Sequence, residues 1–183
     1  MCIVPVFAAS LEGSVGANKE DERECVAFVL LALDKEVYES FCQELEQGKK
    51  LLYLTDNAGE IGFDRIFAEE IARRWPHLEI LFCVRGDICL NDATRADAAE
   101  MGIPFPVIDN GNRVPGTQID LLSEEAKIAL DAADVILAKG MANCETMHGC
   151  GYNVYYAFLV KCQRFVTRFG KPMLTPMLVK ERT

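Results

Sequence analysis

Leu51-Leu52-Tyr53-Leu54-Thr55-Asp56-Asn57-Ala58-Gly59-Glu60-Ile61 is the stretch that decides the fold. A mostly apolar run ends in a carboxylate and an amide, and a small turn follows. Phe63, Ile66, Phe67 and Ile71 then recur at helical spacing over 60–74. A strand that hands over to a helix through polar residues is the opening of a βαβ unit. Its polar edge, Asp56-Asn57, is where such a unit presents ligands.

The pattern repeats downstream. A strand over 79–84 leads to a helix over 93–101, closed by Gly102 and Pro104. A strand over 105–109 leads through Asn110-Gly111 to a helix that opens at Ser123, with Glu124 and Glu125 in its first turn. A strand over 134–138 comes next, and apolar runs 154–160 and 173–179 add two more strands with a short helix between them. This alternation predicts an α/β fold with a mainly parallel sheet and helices on both faces. Upstream, residues 13–24 read as a solvated loop. Val26, Val29, Leu30, Leu33, Val37, Phe41 and Leu45 then predict an amphipathic helix over 25–46, stopped near Gly48. The domain division is therefore 1–49, a linker and accessory helix, and 50–183, the α/β domain.

Composition narrows the function. The chain has 183 residues, half of them hydrophobic, which suits one core-forming domain rather than a disordered chain. A formal charge of −9 argues against a general nucleic-acid binder, though local Lys and Arg can still receive an anion. No apolar run is long enough to span a bilayer, and residues 1–10 lack the basic start of a signal peptide, so a cytoplasmic protein is expected. The eight cysteines contain no Cys-x-x-Cys pair and are expected to be reduced thiols. Gly-x-x-x-x-Gly-Lys-Ser/Thr, Gly-x-Gly-x-x-Gly after the first strand, and Gly-x-Ser-x-Gly are all absent from the sequence. Their absence disfavours a nucleotide triphosphatase, a dinucleotide dehydrogenase and a serine hydrolase.

The polar strand ends are the candidates for chemistry. Asn57 with Glu60 fits a helix capping box, but that account leaves Asp56 unused. A carboxylate in a crevice needs a partner or a cation, and hard divalent ions take carboxylate and amide oxygens together. Asn91-Asp92 repeats the pairing one strand along, with helix capping as its alternative. Lys139 ends a strand beside Gly140, either solvated or paired with a phosphate as a point charge. Arg85-Gly86 gives a weaker version of the same signal. Asn110-Gly111 and Pro115-Gly116-Thr117 could be an anion cradle or simple turns. His148 is a candidate proton donor or an ordinary surface residue.

Asp56-Asn57-Ala58-Gly59-Glu60-Ile61-Gly62-Phe63-Asp64, Val84-Arg85-Gly86 with Asn91-Asp92-Ala93-Thr94, Gly116-Thr117 and Lys139-Gly140-Met141-Ala142-Asn143-Cys144-Glu145 occur in this order. Together they resemble the damage-control phosphatase family, formerly domain of unknown function eighty-nine, which includes the acidic-residue methyltransferase-like proteins. The resemblance runs from about residue 50 to 180. It implies a Rossmann-like sheet with an accessory helical part, here a short N-terminal one, and a metal-dependent phosphatase acting on small phosphorylated metabolites: sugar phosphates, phosphopantetheine derivatives and damaged metabolites. By position it implies Asp56, Asn57 and Asp92 as metal ligands, for magnesium, manganese, cobalt or nickel. Lys139 and Asn143 would hold the substrate phosphate, with Arg85, Gly59 and Glu60 as further candidates on that side. Asp56, Asp92 and Lys139 form the expected catalytic set, with water rather than Asp56 as nucleophile. Family members are usually longer ahead of the sheet, so a short branch or truncated form is expected. The rival readings are a carboxyl methyltransferase using S-adenosylmethionine and a catalytically silent binding protein.

Overall fold

The computed structural model describes residues 34–180. Helix α1 (Lys35–Gln47) precedes strand β1 (Lys50–Leu54), helix α2 (Ile61–Arg74), strand β2 (Glu79–Val84), helix α3 (Arg95–Glu100) and strand β3 (Val107–Asp109). A 3-10 turn at Ile119–Leu121 leads to α4 (Glu124–Ala132), β4 (Val135–Lys139), α5 (Met141–Met147), β5 (Val154–Leu159), α6 (Gln163–Phe169) and β6 (Pro176–Lys180). The sheet order is β3-β2-β1-β4-β5-β6. The first five strands pair in parallel, and β6 runs antiparallel to β5. The strand order runs one way from β1 to β3 and the other way from β4 onward, so the junction of β1 and β4 is the switch point beside which open α/β sheets place ligands.

Alternation along β1 assigns the two faces. Leu51 and Tyr53 pack with Phe41 and Leu45 of α1 and with Phe67, Ala68 and Ile71 of α2. Leu52 and Leu54 pack on the other side with Ala126 and Leu130 of α4, Cys144 and Met147 of α5, and Phe165 of α6. Phe67, Ile71 and Phe165 are fully buried, each worth roughly 1.5–3 kcal/mol of transfer free energy. The helices on both faces and the mainly parallel sheet are as the alternation predicts.

Several boundaries shift from the sequence expectation, among them the strand expected over 105–109, which spans only Val107–Asp109; three shifts have a clear local reason. The helix expected over 25–46 begins at Lys35, because Asp34 is extended and its carboxylate accepts from the amides of Glu36 and Val37; residues 25–33 lie outside the described residues. The helix expected over 93–101 begins at Arg95, because the Asp97 carboxylate turns back onto the Thr94 amide and hydroxyl. The last strand starts at Pro176 rather than 173, after Leu174 with φ +62°. Ser123 caps α4 as expected, accepting from the Ala126 amide. Among the described residues no disulfide joins Cys42, Cys83, Cys89, Cys144, Cys150 or Cys162, and Cys2 and Cys25 lie outside them. Among the described residues no helix is long and apolar enough to cross a membrane.

Candidate functional site

The loops after β1 and β2 are stitched together by their backbones. The Ala58 amide donates to the Asn91 carbonyl and the Ala93 amide to the Asp56 carbonyl, both at 2.8 Å. Asn57 and Asp92 thus face each other across an isolated antiparallel bridge. The two carboxylate–amide pairs, 35 residues apart in sequence, therefore meet at one place.

Side chains extend this junction. The Asn57 Nδ2 donates to Asp56 Oδ2 at 3.0 Å and to Glu60 Oε1 at 2.7 Å. Asn57 therefore caps no helix amide with its side chain; Glu60 itself occupies the N-cap of α2, without a side-chain cap. Asp92 is likewise relieved of capping, since Thr94 opens α3, and its Oδ2 accepts from Arg85 Nε at 2.8 Å. Arg85 is itself buried, and its Nη1 donates to the Gly116 carbonyl. Arg85 thus holds Asp92 in place. Burial, with the neighbouring Glu60 and Asp92 carboxylates, pushes Asp56 up to about 7 against the pull of Lys139 and Lys161. A carboxylate so perturbed in a crevice marks a candidate functional site.

Lys139, the last residue of β4, is fully buried. Its Nζ lies 2.7 Å from Asp64 Oδ1 and 3.4 Å from Glu60 Oε2. Tyr53 donates its hydroxyl to the same Asp64 oxygen at 2.7 Å, while Asp64 Oδ2 is a buried oxygen without a hydrogen bond among the described residues. Burial alone would lower the Lys139 ammonium, but Asp64 and Glu60 outweigh it and hold it above the ordinary lysine range. The motif reading sets Lys139 against the substrate phosphate; here its ammonium is engaged by the buried Asp64 and Glu60 carboxylates. Asp64 received no role in the sequence reading. The signal was present, because a carboxylate in register with Ile61, Phe67, Ala68 and Ile71 lies on the apolar face of α2.

Past β4 the chain approaches Asp56 closely. Gly140 has φ +81°, and a Cβ there would lie 2.2 Å from Asp56 Oδ2. Asn143 follows on α5; its Nδ2 donates to the Thr55 and Lys139 carbonyls at 3.2 and 2.7 Å, and its Oδ1 accepts from Thr117 Oγ1 at 2.8 Å. Buried and so engaged, Asn143 ties three segments together beside Asp56. The Gly111, Asn112 and Thr117 amides donate to Asp109, Asn110 and Thr146 side chains, which makes those segments turns rather than an anion cradle. His148 is exposed at the end of α5.

Two spaces adjoin Asp56. One is a void of about 10 Å³, lined in part by Thr55, Asp56, Arg85, Asp92, Asn110 and Thr117. It is the size of one small occupant. The other is a cleft of about 200 Å³ whose polar end is formed by Asp56, Asn57, Glu60 and Lys161 and whose wall includes Met141, Ala142 and Leu159. Lys161 was not singled out from sequence; it follows the β5 run without a flanking motif. Gly59 leaves open space on its Cβ side. A larger hollow of about 540 Å³ at the amino ends of β1 and β2 is lined mainly by apolar side chains and lacks such a cluster.

The donors suit a hard divalent cation. Among the described residues no three His, Cys, Asp or Glu side chains form a metal cage by themselves. Magnesium-like ions do not need one; they use one or two carboxylates and complete their shell with water and substrate phosphate. Asp56 and Asp92 supply the carboxylates. With Nδ2 of Asn57 turned to the two acids, its Oδ1 is the polar atom left to face a cation.

A family model, the damage-control phosphatase ARMT1-like domain, matches residues 10–174. The chain belongs to this family. It is 34% identical over 160 residues to the damage-control phosphatase PH1575 of Pyrococcus horikoshii, covering 83% of this chain and 54% of that protein. It is 41% identical over 132 residues to a damage-control phosphatase of Archaeoglobus fulgidus, covering 70% of this chain and 45% of that protein. The crystal structure of the DUF89 family protein from Pyrococcus horikoshii superposes with a TM-score of 0.88 at 26% identity, covering all of this chain and 67% of that one. The chain thus spans about half the length of the curated relatives it matches. The family identification from the motifs and the α/β fold both hold.

Proposed function

We propose that this chain carries the active site of a divalent-metal-dependent phosphatase for small phosphate monoesters. The observation that carries the reading is the convergence of Asp56, Asn57 and Asp92 at the switch point, beside a cleft with Lys161 at its polar end. Names of relatives as damage-control phosphatases support the same chemistry.

Asp56, Asn57 and Asp92 would hold magnesium, manganese, cobalt or nickel through oxygen. Bound there, such an ion supplies Lewis-acid polarisation of a phosphoryl oxygen and a more acidic water. The chain's own residues do the rest. Arg85 fixes the Asp92 carboxylate through Nε. Asn143 ties the β1 and β4 ends to Thr117, which keeps the ligand loops in register. Lys161 at the cleft offers an exposed positive charge for the phosphate, while Lys139 acts through its contact with Glu60 and its pull on Asp56. The apolar wall of Met141, Ala142 and Leu159 receives the organic part of the ester and excludes water. Water would be the nucleophile, since Asp56 would be needed as a ligand to the cation.

The test is phosphate release from aryl, sugar and pantetheine phosphates with each of the four metals. Release that chelator stops and Asp56→Ala abolishes is the expected result. No release with any metal, under conditions where the protein is folded, would replace this reading with that of a silent binder.

A further inference from the structure

The cluster continues inward as a chain of hydrogen bonds with fixed polarity. Tyr53 and Lys139 both donate to Asp64 Oδ1. Lys139 also donates to Glu60 Oε2, and the other Glu60 oxygen accepts from Asn57 Nδ2, which also donates to Asp56. Every carboxylate in the chain accepts and every ammonium or amide nitrogen donates. This polarity has one consequence at the surface. An amide presents oxygen on one side and nitrogen on the other, so whatever engages the nitrogen decides where the oxygen points.

We propose that Glu60 is a positioning residue, held by Lys139 and Asp64, that fixes which way round the Asn57 amide sits and thereby sets the affinity of the cluster for a divalent cation. The inference rests on the metal reading above and adds a role for residues that do not touch the ion. Glu60 is well suited to it. It is 7% exposed, with one oxygen on Lys139 and the other on Asn57, so it cannot rotate without breaking an ionic contact. Asp64 prevents Lys139 from drawing Glu60 away, since its oxygen takes the shorter contact, 2.7 Å against 3.4 Å. Outer partners of this kind orient metal ligands and influence affinity as strongly as some direct contacts do.

Glu60→Gln gives a sharp test. Lys139 keeps the glutamine oxygen, so the new NH2 is turned toward Asn57 and opposes its Nδ2. The Asn57 amide then keeps only Asp56 as an acceptor for its Nδ2, against the opposing NH2, and its Oδ1 is no longer fixed toward the cation. Manganese binding by calorimetry should weaken about 10–100-fold, while the melting temperature without metal changes little. In an Asn57→Asp background the same Glu60→Gln change should alter affinity by no more than about twofold, the ordinary limit of additivity, because a carboxylate presents oxygen either way round. Equal losses in both backgrounds would make Glu60 a nearby charge and overturn the proposal. So would unchanged affinity in Glu60→Gln alone. A parent protein that binds no manganese overturns the metal reading itself, an outcome distinct from the other two. Asp64→Asn supplies an independent variant: loosening Lys139 should weaken manganese binding in the parent more than in Asn57→Asp.

Discussion

The two ends of the sheet use the same charged groups to different effect. At the carboxyl end, Lys139 and Asp64 are both fully removed from solvent, and the pair leads through Glu60 and Asn57 to the cleft. At the amino end, Lys180 of β6 pairs with Glu44 of α1, with side chains 31% and 25% exposed. Asn153 donates to the other Glu44 oxygen, and Asp134 accepts from the Lys49 and Lys50 amides. The amino-end contacts tie elements together and border a separate open hollow of about 300 Å³, away from Asp56. Desolvating an ion pair is expensive, so a fully buried one is a poor way to stabilise a fold. Its presence beneath the strand ends is better explained by what it positions.

Glycine substitutions separate the ends most strongly. Gly48 and Gly140 both sit where a Cβ would intrude, at 2.9 Å from the Glu44 carbonyl and 2.2 Å from Asp56 Oδ2 respectively. Gly140→Ala must displace the Asp56 carboxylate, and its φ of +81° adds strain. Phosphate release should fall by about 10²-fold or more, the scale of a misplaced reacting group, and calorimetric manganese affinity should fall with it. Gly48→Ala should lower the melting temperature and leave manganese affinity unchanged. If the two variants lose affinity alike, the carboxyl end has no special claim to the site.

Deleting one partner of the buried pair comes next. Lys139→Met leaves Asp64 enclosed without its cation and should cost about 3–5 kcal/mol by denaturant titration. Adding Asp64→Leu should recover much of that stability, since apolar replacements of buried pairs are often tolerated. Phosphate release should not recover. A stable double variant with full turnover would reduce the pair to a structural feature.

The sequence made the fold legible to the extent that hydrophobic period carries it. β2 and the end of α2 are read to the residue, because a buried parallel strand and an amphipathic helix write different periods. The start of α1 was missed because apolar spacing continues upstream of Asp34, and only the cap geometry interrupts it. At the site, Asp56, Asn57 and Asp92 were legible as repeated polar edges. The direction of Lys139 was not, since a lysine at a strand end reads the same whether it faces solvent, phosphate or a buried carboxylate. Asp64 and Lys161 required the tertiary fold, as did the approach of Gly140 to Asp56; sequence shows a glycine there but not what it lets close.

Proton competition gives a smaller, pH-dependent contrast. Asp56 is pushed to about 7, above its ordinary 3.8. Below 3.8 it is protonated in both folded and unfolded chains. Between that value and about 7 the folded chain holds the extra proton, so the stability it contributes is lost as pH rises through this window. With chelator present, the parent should lose stability from pH 4 to 7 relative to Asp56→Asn, measured by thermal melting across the range. A cation must displace the same proton, so manganese affinity should fall roughly tenfold per unit as pH drops below 7. Matching slopes for parent and Asp56→Asn would place the perturbed carboxylate elsewhere.

The smallest effect belongs to the amino end. Burial would raise the Glu44 carboxyl, but hydrogen bonds from Lys180 and Asn153 outweigh it and hold it below its ordinary range. Lys180 is lowered by burial and raised more by Glu44 and Tyr155, so it ends above its ordinary range. The Glu44 contribution is present above the ordinary carboxyl value and disappears as pH falls through the lowered one. The Lys180 contribution is present below the ordinary lysine value and disappears as pH rises through the raised one. Between them the pair is constant, so neutral pH should show no slope from it. Partial exposure limits its worth to about 0.2–1 kcal/mol, and salt screens it. Glu44→Gln should therefore lower denaturant stability by less than about 1 kcal/mol, and molar salt should shrink the difference. Manganese affinity should stay at the parent value, because none of the Glu44 contacts reaches the cleft. A loss of affinity in Glu44→Gln would mean that the two ends are coupled through the sheet, and the contrast between them would fail.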